Sequence, residues 1–260
     1  FNHSYDDIKD TLISLCHENG VEKVVLVDNG GCQWVTELDE PKVSYIKSPY
    51  NCGFGAGHNL AIKANADFNG YFLICNPDIS FDRGELDKLL SFAWDNQFTF
   101  VSPKILYKNG DRQYSCRLLP TPVNLFLRRF LPTTALKFDL EYELMDAEYD
   151  KVFSPPSVSG CFMLLTNALL QELDGFDERY FMYLEDVDLC RRALPLTKIY
   201  YCPETTIIHV FNKGSYKSKL LLWYHVRSAI TYFNKWGWFF DRKRHAYNKK
   251  ALLEIPRKLG

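Results

Sequence analysis

No apolar run in this 260-residue chain approaches the roughly 18 residues that a membrane-spanning helix requires. No charged, apolar and small-residue succession of the kind that marks a secretory leader opens it. The chain begins at Phe1 rather than a methionine, so its natural start is expected to lie upstream. Net charge is also lacking: 31 Lys and Arg stand against 32 Asp and Glu, for a total of −1. No whole-molecule field is therefore available to steer a polyanion, and nucleic acid is not an expected partner. The eight cysteines, at 16, 32, 52, 75, 116, 161, 190 and 202, form no Cys-x-x-Cys pair, and several sit inside apolar runs. That excludes a zinc knuckle and a disulfide framework, and it reads as free thiols in a reducing compartment. Internal repeats and low-complexity tracts are absent.

What is present is an ordinary globular balance, 47% hydrophobic and 24% charged, long enough for one large domain or two small ones. The charge is unevenly spread. From Lys213 onward twelve Lys and Arg face two acids, which leaves the tail at +10 and everything before it at −11. A basic, aromatic tail on an acidic body points to an anionic surface.

Short apolar runs alternate with helical patterns over the first 100 residues. Residues 5–18 carry apolar positions at near-helical spacing. Strands are expected at 24–27, 43–46 and 71–75, with helices over 58–66 and 84–95. Continuous apolar runs of this length suit strands buried on both faces, hence a mostly parallel sheet flanked by helices, with ligands at the strands' carboxyl ends. Residues 101–116 read as short strands around a turn at 108–111, and 118–150 as an irregular insertion or acceptor-side lobe. A strand over 159–165, a short helix to 173, a helical stretch over 185–192 and two strands near 199–201 and 206–208 complete the body.

Polar residues gather where those strands end. Asp28 follows the first, and taken alone it is an ordinary turn former. The loop from Asn51 to Asn59 places glycines at 53, 55 and 57. That spacing is neither the dinucleotide Gly-x-Gly-x-x-Gly nor a P-loop, which argues against a nicotinamide oxidoreductase. Asn76-Pro77-Asp78 stops the third strand with a carboxylate aimed at the crevice. Mg²⁺ or Mn²⁺ is commonly held by one or two carboxylates plus diphosphate oxygens, and Asp78 suits that use. Glu185 and Asp186 open a helix whose amino terminus favours ionised carboxylates. Two adjacent acids exceed what one cap needs, so Asp186 is a candidate general base, while Asp188 reads as a spaced partner of Arg191 or Arg192. His209, at a strand end, reads by itself as a packed histidine, although imidazole also suits Mn²⁺.

These blocks together resemble the family 2 glycosyltransferases of the GT-A fold. They are Val27 to Gly30, Asn51 to Asn59, Asn76 to Asp78, the run DGFDERYFMYLEDVDLCRR over 174–192, and then His209 with Gly214-Ser215. The nearest branch is the rhamnosyltransferase-like group of bacterial O-antigen and polysaccharide synthesis. The similarity spans nearly the whole chain, and the 174–192 block is its most specific part.

The resemblance implies an α/β catalytic domain over 1–215, with a nucleotide-binding half at 1–100, an acceptor half at 101–215 and a basic helical tail at 216–260. It implies inverting transfer, with dTDP-rhamnose as the donor of the branch, to a polyprenyl-diphosphate-linked or glycan acceptor. Asp186 fills the catalytic-base position, and Asp78 and His209 the Mg²⁺ or Mn²⁺ positions. Asp28, Asn51, Gly53, Asn59, Asn76, Gly160 and Glu185 fill substrate-binding positions. The expected setting is cytoplasmic, peripheral on the inner face of the bacterial plasma membrane. Two departures stand out: Asn76 replaces the first acid of the family's Asp-x-Asp, and of the family's central first strand only Phe1-Asn2 is present. The alternative function is an inactive nucleotide-sugar-binding or scaffold subunit. In the tail, Leu222, Val226, Ile230 and Phe233 form an expected apolar stripe.

Overall fold

The computed structural model describes residues 1–125, 140–210 and 218–258. Gly214 and Ser215, part of the motif set above, lie outside these residues, as do residues 126–139 of the 118–150 region.

Helix α1 (Tyr5–Cys16) opens with a capping box in which Ser4 and Asp7 satisfy each other's backbone N–H groups. Strand β1 (Val24–Asp28) pairs in parallel with β2 (Val43–Lys47), and α2 (Phe54–Ala64) crosses back over them. The helix expected over 58–66 thus begins four residues earlier. Gly53, with φ +94°, makes the sharp entry that the glycine pattern had suggested was loop.

The larger sheet contains β3 (Tyr71–Cys75), β8 (Phe162–Thr166), β5 (Phe100–Leu106), β9 (Tyr200–His209) and β4 (Ile79–Ser80), in that spatial order. Only β5 and β9 run parallel; β8 is antiparallel to both β3 and β5, and β4 to β9. The sheet is therefore mixed. The apolar run at 162–165 is equally compatible with either direction, because β8 is buried on both faces. The two strands expected at 199–201 and 206–208 are one strand, β9. Its register slips at Pro103 of β5, which has no N–H to donate to the ladder. A further pair, β6 (Cys116–Arg117) with β7 (Ser157–Val158), lies beside it.

One core cluster joins Phe100, Met163 and Leu165 of the sheet to Tyr142, Leu144 and Tyr149. The described part of the 118–150 region is thus packed into the body and is not a separate lobe. Helices α3 (Glu85–Asp95) and α4 (Asn167–Glu172) cover the sheet. Glu18, fully buried, caps α3 by accepting from the N–H groups of Gly84 and Asp87.

Among the described residues β1 bonds only to β2, and β3 only to β8. Their other edges flank a largely apolar cavity of about 570 Å³ lined by Val24 to Asp28, Leu12, Leu15 and Tyr71 to Leu73. Phe1 and His3 line the same cavity.

The basic tail folds onto this body as α6 (Lys219–Trp236) and α7 (Arg242–Glu254), with helix α5 (Glu185–Ala193) beneath. Tyr232 and Phe233 are buried against Leu119, Tyr180, Leu184 and Val187, while Ala251 and Ile255 enter the main core. The expected stripe is corrected accordingly. Phe233 faces inward, Leu222 is half-buried, and Val226 and Ile230 face solvent.

Candidate active site

Because β8 runs against β3, its amino-terminal end lies beside the carboxyl end of β3. The Asn76 N–H donates to the Cys161 carbonyl at 2.9 Å, and so Gly160-Cys161 meets Asn76-Pro77-Asp78. Ile79 of β4 pairs with His209, which brings the end of β9 to the same corner. His209 Nε2 lies 3.3 Å from Asp78 Oδ1 and 3.5 Å from Asn76 Nδ2, and Nδ1 lies 2.9 Å from Gln113 Oε1. Burial alone would lower the His209 pKa. Its contacts with Asp78 and Cys161 more than offset that and push it up to about 10. The imidazolium then donates to Asp78 and Gln113. A cation held here by Asp78 and His209 would take the place of the Nε2 proton.

Do these residues suit a divalent cation? Asp78 keeps a third of its side chain exposed toward the crevice, and His209 presents one nitrogen beside it while Gln113 fixes the ring. Among the described residues no group of three or more His, Cys, Asp or Glu could hold a metal alone. The donor set thus fits Mg²⁺ or Mn²⁺ shared with diphosphate oxygens, and it does not fit a cation caged by protein. Gln113 and Cys161 are the members of this corner that sequence reading missed. Cys161 directly follows Gly160, so its neighbourhood was legible, but nothing in the local pattern marks Gln113.

Asp186 stands in the first turn of α5. Its Oδ2 accepts from the Gly160 N–H at 2.9 Å and its Oδ1 from the Val187 N–H at 2.8 Å, and it remains partly exposed. A Cβ on residue 160 would sit 2.9 Å from the Asp186 Cβ, so glycine permits this approach. The chain enters α5 through Tyr183 and Leu184, both left-handed at φ +71° and +65°. Strain of this kind in two bulky residues persists only where packing enforces it, and it commonly marks a functional turn.

Glu185 departs from expectation. It is buried, and one carboxylate oxygen has no hydrogen-bond partner. Burial first, and then the neighbouring Asp186 charge, raise its pKa well above the usual carboxylate range. The helix terminus does not keep it ionised, because desolvation outweighs the dipole. A carboxyl whose folded pKa is raised favours the folded state below the unfolded value near 4.5, and that contribution is lost as pH rises toward the folded value. Glu185→Gln is accordingly expected to raise the melting temperature at neutral pH and to flatten its decline above pH 4.5, as read by calorimetry across pH.

The remaining expected substrate residues are engaged with the protein itself. Asp28 accepts from the N–H groups of Gly30, Gly31 and Cys32 and from the Tyr45 hydroxyl. Burial pushes its pKa up, but these bonds hold it at about 2. It shapes the 28–32 turn at the crevice edge. Asn51 Oδ1 accepts from the Gly53 N–H. A Cβ at Gly53 would lie 2.2 Å from the Phe181 carbonyl oxygen, which also accepts from the Phe54 N–H at 2.9 Å. Gly53 thus permits α2 to dock on the loop that leads into α5. Asn59 is buried, and its amide grips the Phe176 N–H and C=O and the Glu178 carboxylate, so its role here is to clip α2 to the 176–178 segment. Asp28, Asn76, Asp78, Gly160, Glu185, Asp186 and His209 are drawn toward the strand ends. Asn51, Gly53 and Asn59 serve the packing of α2.

No family model matches the chain. It is 28% identical over 250 residues to rhamnosyltransferase WbbL of Escherichia coli strain K12, covering 89% of each chain. It is 27% identical over 216 residues to the N-acetylglucosaminyl-diphospho-decaprenol L-rhamnosyltransferase of Mycobacterium tuberculosis strain CDC 1551, covering 76% of this chain and 69% of the relative. Its fold matches the Pyrobaculum calidifontis mannosyltransferase solved with GDP-Man and Mn²⁺, with a TM-score of 0.58 at 13% identity. That match takes in 99% of this chain and 64% of the mannosyltransferase chain.

Proposed function

We propose that this chain, which is similar to rhamnosyltransferases in sequence and to GT-A glycosyltransferases in fold, catalyses inverting transfer of rhamnose. The donor is dTDP-rhamnose, and the acceptor is a hydroxyl of a polyprenyl-diphosphate-linked saccharide. The observation that carries the chemistry is Asp186. It is a partly exposed carboxylate fixed by the Gly160 N–H at the same strand-end corner as Asp78 and His209.

In this reading the acceptor oxygen attacks the anomeric carbon, and its bond forms as the bond to the diphosphate oxygen breaks. The departing nucleoside diphosphate takes that electron pair, and Asp186 receives the acceptor proton. One displacement inverts the anomeric centre, and no carboxylate nucleophile is needed. Asp78 and His209 would hold the Mg²⁺ or Mn²⁺, which neutralises charge on the leaving diphosphate when bound. Glu185, next to Asp186 in the first turn of α5, is the neighbouring residue that would orient the acceptor from behind the base. Asn76 keeps one charge out of the metal corner, so the cation is expected to bind together with the donor more tightly than alone.

The relation to an enzyme named for a decaprenyl-diphospho acceptor supports a lipid-linked acceptor and a place on the inner face of the plasma membrane. Among the described residues no helix is long and apolar enough to cross a membrane. The test is a transfer assay over a panel of nucleotide-sugars with a polyprenyl-diphosphate saccharide, with and without EDTA. Turnover is expected with dTDP-rhamnose and is expected to fall at least about tenfold in EDTA. Undiminished turnover in EDTA removes the metal role of Asp78 and His209, and turnover only with another sugar removes the donor assignment.

A further inference from the structure

A buried cation near the end of the chain holds two aromatic rings out into solvent. Arg244, 5% exposed, donates to the carbonyls of Gly237, Trp238 and Phe239 at 3.3, 2.9 and 3.4 Å, and to that of Pro120. Gly237, at φ +104°, turns the chain out of α6, and Asp241 caps α7 by accepting from the Arg244 N–H. The loop between the two helices is thereby fixed on both sides. Yet Phe239 is 69% exposed and Phe240 fully exposed. Burying a guanidinium is costly unless its hydrogen bonds are met. Here the bonds that meet it fix the backbone that displays two phenyl rings.

The display continues along α6. Leu220, Trp223, Val226 and Ile230 are exposed and recur at three- and four-residue spacing, opposite the face that buries Ser228 and Tyr232. Trp238 extends the same line, since its indole N–H donates to the exposed Asn234 one turn beyond Ile230. Exposed Lys219, Arg227, Arg242 and Lys243 border this strip, and Arg227 lies over the Trp223 ring. The other side of α6 reaches the active-site loop: Ser228 donates to the Met182 carbonyl, and Tyr224 stacks on Phe181.

We propose that the Trp238–Phe240 loop and the exposed face of α6 form one docking surface that inserts into an anionic lipid bilayer. The tip is the wedge and the basic border is the headgroup contact. A contiguous apolar strip this long is unusual on a soluble surface. Aromatic residues edged by cations match the interfacial zone of an anionic leaflet. A bilayer accommodates a protruding, fully exposed Phe240, whereas a rigid second copy needs a matching pocket. Insertion there lays α6 along the membrane, with its inner side against the loop that enters α5. This rests on the proposal that the protein works at a membrane and adds the surface by which it does so.

Vesicle flotation tests it without donor or acceptor. The wild-type chain is expected to float with phosphatidylglycerol–phosphatidylcholine vesicles and much less with phosphatidylcholine alone. The double variant Phe239→Ser/Phe240→Ser is expected to lose roughly a hundredfold in vesicle affinity, the loss expected for two aromatic side chains that no longer leave water. Its melting temperature and its turnover on a water-soluble acceptor are expected to be unchanged, because neither ring packs in the core. Flotation of the double variant equal to wild type overturns the wedge and leaves the broader membrane reading standing. Failure of the wild type to float overturns both, and transfer activity is tested separately. A concentration-dependent dimer in sedimentation that the double variant abolishes assigns the surface to a second copy and also overturns the proposal.

Discussion

Asp186→Asn is expected to lower kcat for sugar transfer by about a thousandfold while leaving donor affinity within about twofold of wild type. The asymmetry follows from the position of Asp186. Its Oδ2 is anchored by the Gly160 N–H, and an amide oxygen can accept that same bond, so the variant gives up only the local bond from the Val187 N–H and keeps α5 in register with β8. What is lost is the ability to take a proton from the acceptor. Single-turnover kinetics and donor titration by calorimetry read the two quantities separately. A scaffold or binding subunit has no turnover to lose, and Asp186→Asn would leave it indistinguishable from wild type in both readouts. The variant thus also decides between the enzyme and the inactive-subunit reading that Asn76 suggests. Glu185 sharpens the expectation: it is buried, and so is not placed to substitute for the missing base.

The second large effect concerns stability. Asp188→Ala is expected to cost about 3–5 kcal/mol, because it removes one side of a buried charge cluster. Asp188 is wholly buried. It accepts from Arg192 Nε at 2.9 Å, Trp236 Nε1 at 2.7 Å, Lys235 Nζ at 2.8 Å and the Tyr180 hydroxyl at 3.3 Å. Lys235 also reaches Asp177 at 2.7 Å, so one ammonium ties α6 to two positions of the 174–192 block. Nearby, Arg191 pairs with Asp241 and contacts the rings of Tyr232 and Trp236, a second tie between α5 and the tail. Without Asp188, four donors, one buried and three partly buried, face each other with less to accept them. Urea denaturation should show the loss, and Asp188→Asn should recover part of it by restoring an acceptor without the charge. If Asp188→Ala unfolds at the wild-type urea concentration, the cluster contributes no net stability.

The site was legible in the sequence where chemistry is written in adjacent residues. The Asn76-Pro77-Asp78 turn, the Glu185-Asp186 pair and the strand-end His209 could be named because a residue's place at the end of an apolar run follows from local pattern. The structure brings Asp78 and His209 to 3.3 Å, although His209 by its local pattern alone read as a packed histidine. The pattern could not show how much water each group would see. Glu185 and Asp186 are chain neighbours at one helix terminus, yet one is buried with an unpartnered oxygen and the other partly exposed. Asn59 looked like a ligand residue within a glycine-rich loop, but the 174–178 turn claims its amide. Gln113 holds His209 across 96 residues of sequence, a distance no local signal spans.

Sequence alone determined the α/β class, most elements of the first 100 residues to within a few residues, and the carboxylates at the strand ends. These depend on hydrophobic period, turn chemistry and the geometric rule that strand ends share an edge. Tertiary structure decided the direction of β8, the fusion of β9 into one strand, the burial of Glu185 and the fate of the basic tail. Each of those depends on which surfaces lose water to one another. The tail shows this most fully: its +10 charge was countable from residues. Only the packing showed that Tyr232, Phe233 and Arg244 turn inward while Phe239 and Phe240 remain in solvent.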